Sequence, residues 1–277
     1  MPVNARRLIR KMRGGAQAHL MECDDGRFYV VKFVNNPQHR RVLVNEWIGA
    51  EFLRYLQISG PRTAIVNVTG DFLESNPEVH FQLGSRHAPV HPGWHFGSEY
   101  PGNPAKLAVY DFVPDMLLGK VVNLADFLGV LVFDKWIGNA DARQSIFFRA
   151  RVSEWIPAYG DESTRLGFVA QMMDHGFILG GPQWSFSESP LQGLYYRPVV
   201  YEKVTGFQDF QPWLDRVIHF PEDIVDQACK QIPPAWLDGE EALLESLMVR
   251  LMRRRSRVPD LLHDSIQGRI NPFPNWR

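Results

Sequence analysis

The sequence predicts a mixed α+β fold with two lobes: an N-terminal antiparallel sheet with one helix, and a mostly helical C-terminal lobe. Short apolar runs between turn residues fill most of the first hundred residues, and helical spacing of apolar residues dominates the second half. The strand-like run Lys106–Pro114 connects these two patterns. We therefore place the lobes at residues 1–110 and 111–277.

Strands alternate with turns in the first part of the chain. The first turn contains Gly14-Gly15 and the second contains Asp24–Gly26, both built from residues that favour tight turns. The run Phe28–Val34 is almost continuously apolar, as expected of a strand buried on both faces. Its single charged residue, Lys32, either points to solvent from an edge strand or is buried with an acidic partner.

A helix is predicted between Pro37, which is favoured in a first helical turn, and Gly60-Pro61, which ends helices. Two carboxylates, Glu46 and Glu51, lie on it. Its apolar residues recur near helical spacing: Leu43, Trp47, Ala50 and either Leu53 or Leu56.

Further strands are predicted at Ile65–Val68 and Val79–Leu83, followed by a long loop over Gly84–Pro104, which is rich in Gly, Pro and His. Three histidines recur there every four residues and would form a metal-binding stripe on a helix. The prolines between them disfavour a helix, so solvated loop histidines are predicted instead: His87, His91 and His95.

The C-terminal half begins with a helix predicted from Asn123, a favoured N-cap residue, to Gly138. Short strands are predicted at Ser145–Phe148 and Gly167–Met172, and a long helix at Glu240–Arg255. A stripe of leucines on that long helix is predicted to be buried: Leu243, Leu244, Leu247 and Leu251. A run of arginines at its end is predicted to be a solvated face: Arg250, Arg253, Arg254, Arg255 and Arg257.

The composition is that of an ordinary globular protein. Of the 277 residues, 45% are hydrophobic and 22% are charged, and the formal net charge is −1. No global field therefore favours nucleic acid or a membrane. Two cysteines are too few for a disulfide framework or a zinc site. Neither a signal peptide nor a membrane-spanning run is evident, and we expect a cytoplasmic protein.

Two acidic motifs carry the predicted chemistry. Asp141 follows the helix that ends at Gly138, and Asp174–Gly176 comes about one hairpin later. Kinase-like folds place one such carboxylate at the attacking hydroxyl and the other at Mg²⁺. Because Lys32 and Glu46 precede them in the chain, phosphoryl transfer from ATP is the leading hypothesis.

Several short motifs extend this pattern: Gly14-Gly15-Ala16-Gln17, Val31-Lys32, Asn45-Glu46, Asn139-Ala140-Asp141, Asp174-His175-Gly176 and Ile232-Pro233-Pro234-Ala235-Trp236. In their order and spacing the chain resembles the HipA-like kinases, from about residue 8 to about residue 260. The resemblance implies a two-lobed protein-kinase-like fold and an ATP- and Mg²⁺-dependent kinase that modifies Ser or Thr in a protein.

Each residue of the constellation is assigned a role. Lys32 is expected to bind the α- and β-phosphates of ATP and to pair with Glu46, although Glu51 on the same helix is an alternative partner. Asp141 is expected to be the catalytic base and Asp174 to be a Mg²⁺ ligand. Each aspartate also fits an ordinary turn, and it is their combination that favours function.

Two segments are expected to contact the nucleotide. The first is the glycine turn of Gly14, Gly15, Ala16 and Gln17. Its backbone N–H groups can approach phosphates closely, because glycine has no Cβ. An ordinary hairpin turn is the alternative interpretation. The connector between the lobes is expected to be the hinge beside the nucleotide: Tyr110, Asp111, Phe112 and Val113.

The chain departs from the family pattern at one position. The family has an Asn five residues after the catalytic Asp, where its oxygen binds a second metal ion, but this chain has Ile146. Gln144 is expected to be the substitute ligand, with Ser145 the other nearby oxygen donor. Arg143 is an alternative that would contact phosphate directly.

Three functional classes follow from these residues. The first is a kinase whose acceptor is an unidentified hydroxyl-bearing molecule, by resemblance a protein. The second is a pseudokinase that binds nucleotide without turnover, which the missing Asn supports. The third is an interaction protein with a protein partner, and direct nucleic-acid or membrane binding is not expected.

Overall fold

The computed structural model describes residues 1–156, 165–267 and 271–277. Strands dominate the first hundred residues, and helices dominate the second half. The strands are β1 (Val3–Lys11), β2 (His19–Cys23), β3 (Phe28–Lys32), β4 (Thr63–Val68), β5 (His80–Leu83), β6 (Arg86–Pro89), β7 (Gly93–Glu99), β8 (Val109–Tyr110), β9 (Gln144–Arg151) and β10 (Leu166–Met173). The α-helices are α1 (Arg41–Leu56), α2 (Gly70–Ser75), α3 (Asp115–Leu118), α4 (Asp126–Ile137), α5 (Trp213–Ile218), α6 (Glu222–Lys230), α7 (Pro234–Leu237), α8 (Glu241–Arg254) and α9 (Val258–Gln267).

Five strands form a closed barrel in the order β1-β2-β3-β7-β4. The pairs are antiparallel except for β1 and β4, which close the barrel in parallel at Val3/Val66 and Asn4/Asn67. The prediction of an antiparallel sheet with one helix differs from the structure in two details: a parallel pair closes the sheet into a barrel, and a second, short helix, α2, is present. Closure pairs the backbone groups that two edge strands would leave exposed.

Within the barrel, the strand β7 pairs with β3 on one side and with β4 on the other. The predicted loop over Gly84–Pro104 is therefore wrong, because it contains β6 and β7. His95 is fully buried rather than solvated. Its Nδ1 accepts from the N–H of Val34 at 3.1 Å, and its Nε2 lies 3.0 Å from the carbonyl of His91.

Two large hydrophobic cores are present within the described residues, beside a small third cluster of Ile146, Phe148 and Val169. The smaller of the two large cores fills the barrel and includes residues of β3 and Phe33. The larger joins α1 to the C-terminal helices, with Trp47 of α1 against Trp236 of α7 and Phe52 of α1 stacked on Trp136 of α4. The helix α1 thus packs against the helical half of the chain, although it lies between two barrel strands in sequence. No helix within the described residues is long and apolar enough to cross a membrane.

The predicted solvated face at the end of α8 is wrong for Arg254 and Arg255, which bind other elements, whereas Arg250, Arg253 and Arg257 are exposed. Arg254 donates to the carbonyls of Trp136 and Lys135 and pairs with Glu188, and Arg255 donates to the carbonyl of Phe220. These contacts satisfy carbonyl groups near the end of α4. The leucine stripe is buried as predicted except for Leu243, which is 42% exposed.

Candidate active site

A cleft of about 850 Å³ lies between the barrel and the C-terminal half. Its barrel side contains the end of β1, the turn between β1 and β2, and Lys32 of β3. Its other side contains Asp141–Ile146, Met173 and Asp174. The two acidic motifs and the lysine predicted from the sequence are therefore brought together in one cleft.

An ionic cluster forms the polar centre of this cleft. The Nζ of Lys32 pairs with the Oε1 of Glu46 and lies 2.8 Å from the Oδ1 of Asp174. Glu46 is 3% exposed, and its second oxygen accepts from the backbone N–H of His175 at 3.0 Å. Glu51 instead pairs with Arg54 on the surface of α1. Of the two carboxylates offered by α1, Glu46 is thus the partner of Lys32.

The charges of the cluster are interdependent. Burial alone would lower the pKa of Lys32, but the carboxylates of Glu46 and Asp174 outweigh it and raise that pKa above its ordinary value. The Lys32 ammonium lowers the pKa of Asp174. Burial raises the pKa of Glu46, against the attraction of Lys32. With all three groups ionised, one cation faces two anions, so the cluster favours an additional cation.

Backbone geometry aims Asp174 at the cleft. Asp174 has a φ of +59°, in the left-handed region that aspartate tolerates better than most residues. The side chain of Asn45 donates to the carbonyls of Gly176 at 2.8 Å and Ile178 at 3.0 Å. The turn that carries Asp174 is thereby tied to α1 through Asn45 and Glu46.

Asp141 lies at the exposed mouth of the cleft. Its backbone N–H donates to the side chain of Asn139 at 3.1 Å, and its Oδ1 accepts from the N–H of Ala142 at 2.7 Å. Asn139 in turn donates to Asp134 at 3.0 Å. These hydrogen bonds therefore fix the loop from its buried side, and the Asp141 carboxylate remains accessible to a second molecule.

A buried ion pair supports this loop. Arg143 and Asp134 form a two-pronged pair whose side chains are both 0% exposed, with Nε 2.8 Å from Oδ2. Arg143 also donates to the carbonyl of Met173 at 2.8 Å. The expectation that Arg143 contacts phosphate is wrong, because its guanidinium binds groups of the protein. It joins α4 to the residue before Asp174.

Oxygen donors for a divalent cation lie beside Asp174. The second carboxylate oxygen of Asp174 is not used by Lys32, and the Oγ of Ser145 is buried in the cleft wall without a hydrogen-bond partner among the described residues. Gln144 is exposed and lines the cleft. Ile146, at the position of the missing Asn, is 8% exposed. Carboxylate, hydroxyl and amide oxygens are the ligands that Mg²⁺ prefers, so this donor set fits it.

The predicted hinge is only partly at the cleft. Asp111 lines it, but Phe112 is 63% exposed beneath the Arg197 guanidinium, and Val113 is buried in the larger core. Tyr110 is 47% exposed and does not line the cleft. The end of β7 and the residues after it line the cleft instead, Ser98–Pro101. The sequence prediction missed them because it placed this segment in a loop.

The glycine turn lies on the barrel side of the cleft, as predicted. Gly14 has a φ of +117°, which side chains rarely adopt. Gln17 closes the turn, since its N–H donates to the carbonyl of Gly14 at 3.1 Å. Its side chain, however, is bonded to the backbone of Gln82.

Comparisons with known proteins concern the fold and the family. The crystal structure of the Golgi casein kinase with Mn/ADP bound has a TM-score of 0.50 and 11% sequence identity, covering 97% of this chain and 73% of that chain. A second crystal structure of the Golgi casein kinase gives a TM-score of 0.52 and 11% identity, covering 96% and 73%. No curated protein sequence matches.

The fold is thus mixed α+β with kinase-like structural neighbours. A family model described as HipA-like kinase matches residues 6–147, just over half of the 277 residues. The resemblance seen in the motifs is confirmed, and the chain belongs to the HipA-like kinase family.

Proposed function

We propose that this protein is an ATP- and Mg²⁺-dependent kinase that transfers the γ-phosphate of ATP to a hydroxyl group, that of Ser or Thr in a protein. The observation that carries the proposal is the cluster of Lys32, Glu46 and Asp174 in one cleft with Asp141. A lysine paired with a glutamate, beside one aspartate that can hold a metal ion and another that is free at the mouth, is the set of groups that protein kinases use for phosphoryl transfer.

Lys32 would bind the α- and β-phosphates, and Glu46 would hold its ammonium in place. Glu46 can do so because α1 fixes its position through the larger core and through His175. The glycine turn would offer backbone N–H groups to the same phosphates. Ser98–Pro101 and Asp111 would border the base and the ribose, between a nucleotide-binding lobe at 1–110 and a catalytic lobe at 111–277.

Asp141 would orient the acceptor hydroxyl and take its proton. Its exposure at the mouth of the cleft leaves room for an acceptor. A positioned general base of this kind contributes about 10² to 10⁴ in rate.

Asp174 would hold the metal ion, with Ser145 and Gln144 as further oxygen donors. A divalent cation there would neutralise charge on the phosphate oxygens. Few protein ligands are needed, because Mg²⁺ usually keeps several waters and is bound through one or two carboxylates together with the phosphates of the substrate. The Golgi casein kinase structure with Mn/ADP bound supports the use of a nucleotide and a divalent cation by this fold.

A nucleotide-binding pseudokinase is the second candidate, and Ile146 is the observation that favours it. An isoleucine side chain has no atom that binds a metal ion. Binding without transfer would then be the function of the cleft.

Two measurements separate these candidates. The first is a thermal-shift titration with ATP, with and without Mg²⁺, on the wild type and Asp174→Asn. The second is the transfer of label from γ-labelled ATP to the protein itself or to a mixture of acceptor proteins, on the wild type and Asp141→Asn. Asp71→Asn, an exposed aspartate on α2, is the matched control.

We expect a Mg²⁺-dependent rise in Tm that Asp174→Asn removes, and transfer that Asp141→Asn lowers at least about 100-fold while binding persists. Binding without transfer in the wild type would favour the pseudokinase. Absence of both would reject the kinase and favour an interaction protein.

A further inference from the structure

The hairpin of β5 and β6 lies against the glycine turn. It forms a two-stranded sheet with Gln82 opposite His87 and Leu83 opposite Arg86. Phe81 attaches it to the barrel, since this side chain is 2% exposed and its ring meets that of Phe33 edge-on at 5.7 Å. Phe33 directly follows Lys32, so the hairpin is anchored beside the strand that carries the cleft's cation.

Both ends of the turn are bonded to β5. On the β2 side, the amide of Gln17 donates to the carbonyl of Gln82 at 2.8 Å and accepts from the N–H of Gln82 at 2.6 Å. On the β1 side, the Nζ of Lys11 lies 2.9 Å from the Nε2 of His80 and 3.3 Å from its carbonyl. His80 and Gln82 are two residues apart on one strand, so a single edge of β5 holds both stems of the turn.

The side-chain amide of Gln17 forms the hydrogen bonds to β5 that a neighbouring strand would form. It offers one donor and one acceptor to the backbone of Gln82, as a β-ladder does. Gln17 adopts a φ of +49°, an uncommon backbone conformation for a residue with a long side chain. Two hydrogen bonds made by the side chain offset the cost of that conformation.

We propose that the β5–β6 hairpin holds the glycine turn in place and thereby sets the affinity for nucleotide, with Gln17 as the positioning residue. This inference rests on the proposed function, in which the glycine turn binds the phosphates of the nucleotide. Gln17 itself acts through the hairpin. Its side chain binds Gln82, and this contact fixes the conformation of the preceding turn and so the positions of its N–H groups.

Two substitutions of Gln17 remove its side-chain hydrogen bonds to Gln82 without straining the backbone. Gln17→Asn keeps an amide and tolerates a positive φ, but it is one methylene too short to reach Gln82. Gln17→Gly removes the side chain and accepts the same φ freely. Arg86→Ala is the matched control, because it truncates an exposed side chain of the same hairpin and keeps the hairpin backbone.

The first measurement is hydrogen exchange of residues 12–17 in the nucleotide-free protein. The second is the Kd of Mg-ATP by calorimetry, together with the KM for ATP and kcat wherever turnover is found. We expect both Gln17 variants to exchange faster in the turn and to weaken Mg-ATP binding about fivefold. The KM should rise, and kcat should stay within about twofold of the wild type because Lys32, Asp141 and Asp174 are untouched.

Unchanged exchange in the variants would overturn the inference, because the hairpin would not be holding the turn. Faster exchange with an unchanged Kd would also overturn it, because the turn would not set affinity. If the wild type binds no Mg-ATP, the proposed function has failed before any variant is compared, and the inference fails with it.

Discussion

Single residues decide how charge is arranged around the cleft. An acidic partner for Lys32 could be predicted from the sequence, because a lysine in an apolar strand needs one, and the order of the motifs favoured Glu46 over Glu51. The contact between Lys32 and Asp174 was not predicted. Arg143 could not be placed in the same way. Its partner Asp134 lies on a helix whose apolar spacing gives no sign of a buried acid, and only the packing of α4 brings the two together.

Replacing Arg143 tests the support beneath the loop that carries Asp141. Arg143→Met keeps a long side chain but leaves the carboxylate of Asp134 buried without its cation. We expect the free energy of unfolding to fall by about 3–5 kcal/mol, measured by urea denaturation. Arg54→Met is the control, because Arg54 pairs with Glu51 while its side chain is 75% exposed, and a loss below about 1 kcal/mol is expected there.

The double variant Asp134→Leu/Arg143→Met provides a further check. With both charges removed, part of the lost stability should return, since no unpaired charge remains buried. A double variant as unstable as Arg143→Met, or a single variant as stable as the wild type, would contradict this account of the pair.

At the scale of elements, α1 was easier to predict than β7. Regular apolar spacing marks α1, whereas β7 contains glycine and histidine and follows a proline, all of which favour loops. His95 can lie inside the barrel because Val34 and His91 satisfy both of its nitrogens, and those partners are tertiary neighbours. Because the β7 segment was predicted to be a loop, the position of Ser98–Pro101 at the cleft was missed as well.

The close approach of α1 to the Asp174 turn depends on Gly49. A Cβ built at Gly49 would lie 2.6 Å from the Cβ of His175, which is not the movable end of a side chain. Alanine normally stabilises a helix interior relative to glycine by about 1 kcal/mol. Here we expect Gly49→Ala to destabilise by about 1–3 kcal/mol, because α1 must move away from His175.

Urea denaturation of Gly49→Ala beside Gly70→Ala measures this effect. A Cβ at Gly70, in the first turn of α2, would meet nothing within 4 Å, so that variant should differ little from the wild type. Equal stability of the two variants would show that α1 does not press against the turn.

The whole molecule should be sensitive to mild acid. Burial lowers the pKa of His19 and His95 from 6.5 to about 4, and burial together with Arg143 lowers that of His175 well below 6.5. Unfolded histidines take up protons near pH 6.5, whereas these remain neutral in the fold. Their contribution to stability is therefore present above pH 6.5 and is lost as the pH falls towards 4.

We expect the free energy of unfolding to drop between pH 6.5 and pH 4, by at most about 1.4 kcal/mol per pH unit for each of these histidines. Urea denaturation across that range measures the slope. His95→Gln should make the slope shallower, whereas His263→Gln, on the exposed surface of α9, should leave it unchanged. A flat profile in the wild type would contradict the prediction.

The ion pair between Lys32 and Glu46 joins the two hydrophobic cores, because β3 belongs to the barrel and α1 to the helical half. Rotation of the barrel away from that half must therefore separate opposite charges in a poorly hydrated place. The attraction between the two charges falls only as the inverse of their distance, whereas apolar contact is lost over a much shorter range. The pair should accordingly hold the barrel against the helical half as the two begin to separate.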